Sequence, residues 1–163
     1  MKITGWLQKE FRLLLVTPFK ILLLLLLFLN GCASHGKPVT LHDTYTEYTY
    51  RVKARDYAYI LDNLITQSMG DRGIKKSSDF PDYFPILSDL PSILVKKKEH
   101  FELRDGNFGC LTLNGFDRFD RPAVIKMEFG REQGSWKLAY VSVDYLNLPS
   151  EFTGAAVCPK RRA

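Results

Sequence analysis

The apolar residues of this chain change their period once, and that change limits the folds open to it. Leu41, Tyr45, Tyr48 and Val52 recur at the spacing of a single helix face. From Glu99 onward the period is two: Glu99, Phe101 and Leu103 alternate with His100, Glu102 and Arg104. Two helices followed by an antiparallel meander predict an α+β layer fold, with both helices on one face of a four-stranded antiparallel sheet.

The first helix is expected over about residues 41–54, with Thr46, Glu47 and Lys53 turned outward. Asp56 reads as the N-cap of a second, over about 57–67, with Ile60, Leu61, Leu64 and Ile65 as its buried stripe and Gly70 and Gly73 ending it. Pro81, Pro85 and Pro91 forbid long regular structure in 71–92. Phe80, Tyr83, Phe84, Ile86 and Leu87 are too apolar for a free loop, so the segment is expected to be a packed cover with one helical turn around Pro85–Leu90.

Asp105-Gly106-Asn107 is a hairpin turn between the first strand and Phe108–Asn114, which places Leu111 and Leu113 on one face and Cys110 on the other. A loop follows at Phe116–Pro122. Ala123, Ile125, Met127 and Phe129 line one face of the third strand, with Lys126 and Glu128 opposite. Trp136–Tyr145 is apolar on both faces near its middle, which predicts a central strand covered on both sides.

The step Lys53-Ala54-Arg55-Asp56 into Tyr57–Ile65, and the closing hairpin with Gly134-Ser135-Trp136-Lys137-Leu138, resemble the nuclear transport factor two-like, or cystatin-like, cone superfamily. The resemblance covers about residues 41–146 and implies a bent, cone-like sheet wrapped around the two N-terminal helices. Its members range from isomerases to binding modules, so the fold alone assigns no activity. The enzymatic members resemble one another in an Asp–His pair, or a Tyr with an acid, inside the cone. This chain offers Asp144 and Tyr140 on the last strand and His100 on the first. Period-two counting puts Asp144, Tyr140 and Trp136 on one face, where a carboxylate against an apolar interior would have a raised pKa and act as a base. A strand-end Asp reaching solvent or a cap is the plainer reading, and no catalytic residue is assigned.

At the N-terminus an apolar run, Ile21–Leu29, is followed by Asn30-Gly31-Cys32. Leu29-Asn30-Gly31-Cys32 resembles a bacterial lipobox, cut before the cysteine by signal peptidase II. Lys2, Lys9, Arg12 and Lys20 supply the basic segment of a secretory signal. The resemblance implies a cleaved signal peptide at 1–31, acyl chains such as palmitate on Cys32, and a lipidated tether at 32–40. Ala33 after the cysteine implies the outer membrane, with the domain facing the periplasm. The alternative, an uncleaved anchor from Phe11 to Leu29, would hold Lys20 in mid-span at a cost of about 3 kcal/mol on insertion scales.

Without residues 1–31, the basic excess of the chain (23 Lys and Arg against 18 Asp and Glu) shrinks to about two charges. That argues against nucleic acid as a partner. Lys96-Lys97-Lys98 and the basic tail at 159–163, with Lys160-Arg161-Arg162, read as solvated charge. With Cys32 lipidated, Cys110 and Cys158 remain as an even pair in an oxidising compartment and are expected to form a disulfide within a single domain spanning 41–158. The separated cysteines, with His42 and His100 at no ligand spacing, predict no metal site, and no cofactor is expected. No Gly-x-Ser-x-Gly elbow, Ser-x-x-Lys pair or glycine-rich phosphate loop is present. Asp117-Arg118-Phe119-Asp120 lacks the further oxygens of a calcium loop and reads as turn chemistry.

These features together predict a lipid-anchored envelope lipoprotein, non-catalytic, that binds or scaffolds an envelope protein or a cell-wall component. Two alternatives stand beside it: an inhibitor or immunity lipoprotein acting through loop 115–122 with Arg118 and Arg121, and a small cone enzyme using Asp144.

Overall fold

A computed structural model describes residues 39–160. Cys32, the signal at 1–31, most of the tether at 32–40, and Arg161 and Arg162 of the basic tail lie outside the described residues. Among the described residues, no helix is long and apolar enough to cross a membrane.

Helix α1 (Leu41–Ala54) begins where Thr40 and Asp43 cap each other: the Thr40 hydroxyl accepts from Asp43 N–H and the Asp43 carboxylate accepts from Thr40 N–H, both at 3.0 Å. Its stripe of Leu41, Tyr45, Tyr48 and Val52 is buried. Arg55 ends it in the left-handed region at φ 57°, with its N–H returned to Val52 O at 3.0 Å.

The second helix is shorter than its apolar stripe suggests. It opens on the Asp56 carboxylate as α2 (Tyr57–Tyr59) and widens into a π-turn at Ile60–Leu64, closed by Ile65 N–H on Ile60 O at 3.1 Å. Ile65 then extends beside Leu138, and Thr66 N–H donates to Leu138 O at 2.9 Å. The sheet edge takes up backbone groups that a continued helix would have kept.

Residues 71–92 hold more helix than one turn. After the short α3 (Gln67–Gly70) come a 3-10 turn at Ser77–Asp79, α4 (Phe80–Tyr83) and α5 (Pro85–Ile93). Pro81 and Pro85 fall in the first turns of α4 and α5, where a missing N–H is harmless. Phe80, Phe84, Leu87 and Leu90 are buried beneath this cover, and the Tyr48 hydroxyl donates to Leu87 O at 2.9 Å.

The sheet is antiparallel in the order β1 (Lys96–Asp105), β2 (Phe108–Phe116), β3 (Pro122–Glu132), β4 (Ser135–Tyr145). An α+β domain with a four-stranded antiparallel sheet and several helices is therefore what this sequence builds. β2 and β3 are the central, buried strands. β4 is an edge strand, contrary to expectation, and a bulge accounts for its apolar residues reading as two faces. Glu128 faces Tyr140, but Phe129 faces Leu138, so Ala139 is the extra residue. The shift returns Trp136 and Leu138 to the helix side, where Val141 and Val143 also lie. Apolar residues that read as two faces are one face continued across a bulge.

Leu111, Leu113, Ala123, Ile125, Met127 and Phe129 meet the helices in one core. The opposite face of β2 carries Cys110, Thr112 and Asn114, equally buried. The C-terminal segment 152–159 covers them. Val157 N–H donates to the Thr112 hydroxyl (2.8 Å), which donates to Val157 O (3.1 Å); Asn114 Nδ2 donates to Thr153 O at 2.8 Å. Cys110 and Cys158 are joined in a disulfide with Cα atoms 5.2 Å apart, and Phe152 meets Phe116 edge-on.

The bridge spans 48 positions of chain. Replacing Cys110 and Cys158 together by alanine should lower the unfolding free energy by up to about 4 kcal/mol in the chain-entropy account. Urea denaturation reads this as a lower midpoint; an unchanged midpoint would contradict it.

Candidate functional site

The β2–β3 connection, residues 117–121, is organised by one buried carboxylate. Asp117, only 4% exposed, accepts from Phe119 N–H (2.8 Å) and Arg121 N–H (2.9 Å) through Oδ1. Its Oδ2 accepts from Arg121 Nε (2.8 Å) and Nη2 (2.7 Å). Asp117 N–H donates to Arg121 O at 3.0 Å, and Asp120 N–H to Asp117 O at 3.1 Å. Asp120 adopts φ 59° and pairs with Lys96 Nζ at 2.6 Å. Burial acts to raise the pKa of Asp117, but the hydrogen bonds from Arg121 and Phe119, with the Arg121 charge, outweigh it and hold the carboxyl below its ordinary value.

This closed loop holds Phe119 outward, 63% exposed, with the Arg118 guanidinium 4.7 Å and that of Arg121 5.4 Å from its ring centre. Arg121 also lies 4.9 Å from the ring of Tyr145, and Tyr145 (56%) and Leu148 (59%) are exposed. The result is an aromatic and arginine surface on a rigid turn, the composition of binding hot spots. Arg118 and Arg121 were legible as charges. Phe119 and Tyr145 were missed, because a lone exposed aromatic in a sequence is indistinguishable from a buried one.

Asp144 does not face the helices. The bulge at Ala139 separates it from Trp136, and with Tyr140 it lies on the far face of the sheet. There its Oδ2 accepts from Lys126 Nζ at 2.6 Å, and the residue is exposed. The shared face of Asp144 with Trp136, expected from period-two counting, is corrected by that placement. His100 stands apart from Asp144, on the other edge strand. Its ring stacks on His42, centroids 4.1 Å apart, beside Glu102, which accepts from Leu41 N–H and His42 N–H. Burial, then His100 and Lys97, lower the His42 pKa against the opposing pull of Glu102 and Asp43. Among the described residues, no group of three or more His, Cys, Asp or Glu is placed to hold a metal. A shallow cleft of about 310 Å³ lies between the end of α1 and α5, lined by Val52, Lys53, Tyr57, Ser88 and Ser92 among others.

No family model, curated protein or solved structure matches the chain.

Because the folded pKa of Asp117 is depressed, its ties stabilise the loop above the ordinary carboxylate pKa and are lost as pH falls through the lowered folded value. Amide shifts of Phe119 and Arg121 should therefore stay constant from neutral pH until below the usual carboxylate range, then move together. In Asp117→Asn that acid transition should be absent. A transition retained in the variant would assign it to another group.

Proposed function

We propose that this chain is a lipid-anchored lipoprotein of a bacterial cell envelope, whose domain faces the periplasm and acts as a non-catalytic binding or scaffolding module. The observation that carries the reading is Cys32, placed behind the apolar run Ile21–Leu29 at the foot of a lipobox-like Leu29-Asn30-Gly31. The disulfide between the other two cysteines supports it, since such bonds persist in oxidising compartments. Two or more acyl chains give stable anchoring, at about 0.8 kcal/mol per buried methylene. The tether would let the domain meet an envelope protein or cell-wall component near the outer membrane. The likeness to the cone superfamily, with two N-terminal helices against a bent sheet, belongs to the same reading and is compatible with a binding role.

A second reading, an inhibitor or immunity lipoprotein, is favoured by the surface at 117–121. There Arg118, Phe119 and Arg121 sit on a turn already ordered by Asp117, so a partner would meet them with little ordering cost. A cone enzyme using Asp144 has no such support, given the Lys126 pairing of that carboxylate.

Expression of the full chain in a Gram-negative host tests the anchor. Wild type should incorporate labelled palmitate and begin at an acylated Cys32. Cys32→Ser should incorporate none and remain unprocessed by signal peptidase II. A wild-type product that retains Met1 and carries no acyl group would overturn the proposal.

A further inference from the structure

The two edges of the sheet are finished differently. β1 opens with Lys96-Lys97-Lys98 and has a register break between Lys97 and Glu99. Both are devices that discourage a sheet edge from pairing. β4 has neither over its second half, where Tyr140-Val141-Ser142-Val143-Asp144-Tyr145 is β-branched and aromatic, without lysine or proline.

The ladder fixes which groups point outward. Leu146 N–H donates to Pro122 O at 2.9 Å. Counting back in steps of two, Asp144, Ser142 and Tyr140 turn their backbone groups toward Val124, Lys126 and Glu128 of β3. Val141, Val143 and Tyr145 turn theirs away from the sheet. Farther back, the outward carbonyl of Leu138 is taken by Thr66 N–H. Among the described residues, no hydrogen bond takes up the outward groups of Val141, Val143 or Tyr145.

We propose that this edge is where two copies of the chain associate: β4 pairs antiparallel with β4 of a second copy, about a two-fold axis at Ser142. Two matches set the axis there. Val141 falls opposite Val143 of the second copy, and each of these pairs exchanges two N–H···O bonds, because both residues direct their backbone groups outward. The same pairs continue the helix-side apolar row across the axis, since Val141 and Val143 already pack against the core. On the far face, Tyr140 falls opposite Asp144 of the second copy, so a phenol O–H meets a carboxylate that Lys126 already holds. Exposed Tyr145 and Leu148 extend the apolar rim beyond the paired segment. The inference does not depend on the lipid anchor.

Ser142 lies on the axis in a non-hydrogen-bonded pair, where Cα atoms sit about 4.5 Å apart, within disulfide reach. In the full chain, Ser142→Cys should form a disulfide-linked dimer under mild oxidation and release it on reduction. It should do so faster than wild type, which carries no cysteine at this position, and faster than Gln133→Cys in an exposed turn. Ser142→Asp should turn a dimer into a monomer by sedimentation in density-matched detergent, with its circular dichroism unchanged. In the isolated protomer the new carboxylate meets Lys126 across the ladder, whereas in the pair two carboxylates face each other. Wild type that sediments as a monomer up to several hundred micromolar, cross-linking no faster than Gln133→Cys, or a Ser142→Asp dimer as stable as wild type would each overturn the proposal.

Discussion

Burial of β2 on both faces is the constraint the rest of the domain obeys. Its two rows differ in chemistry: Leu111 and Leu113 need only an apolar partner, whereas Thr112 and Asn114 need hydrogen bonds wherever they are buried. A buried polar group left unpaired costs about 1–3 kcal/mol. The helices and the cover at 71–92 answer the first requirement. The segment 152–159 answers the second for the Thr112 hydroxyl and the Asn114 Nδ2, laying the backbone of Thr153 and Val157 along the polar row and fastening its end through Cys158, while Asn114 Oδ1 has no partner among the described residues. Gly115 shows how closely β1 and β2 are drawn together under this arrangement: a Cβ there would stand 2.5 Å from Lys96 O.

The same arrangement explains where function is displayed. With both faces of β2 covered, its side chains are spent on packing, and the exposed groups gather at the ends and edges of the sheet. One end carries the Asp117 turn, whose backbone is held by a single carboxylate so that Phe119 and two arginines project. At the β1 edge, His42 and His100 stack beside Glu102, near the point where the chain enters the domain. The second half of β4, unpaired among the described residues, forms the other edge.

Much of this was legible in residue pattern. The stripe of α1, its limits near Leu41 and Ala54, the hairpin at Gly106 and the pairing of Cys110 with Cys158 follow from periodicity, turn chemistry and cysteine count. What failed shares a physical origin, because it depends on competition between distant segments. Ile65 leaves its helix for the β4 edge. Ala139 bulges, which carries Asp144 to the face opposite Trp136. The segment after Tyr145 has no regular period because its contacts are single backbone groups meeting Thr112 and Asn114. None of these leaves a mark on local spacing.

Termination of the chain after Glu151, compared by urea unfolding with the full chain lacking only the Cys110–Cys158 bridge, tests the central claim most directly. If the segment serves to satisfy and cover the polar row, its removal should cost more than the loss of the bridge, with a lower midpoint or no cooperative transition. Equal midpoints for the two proteins would show that it acts through the disulfide alone, and would contradict the account.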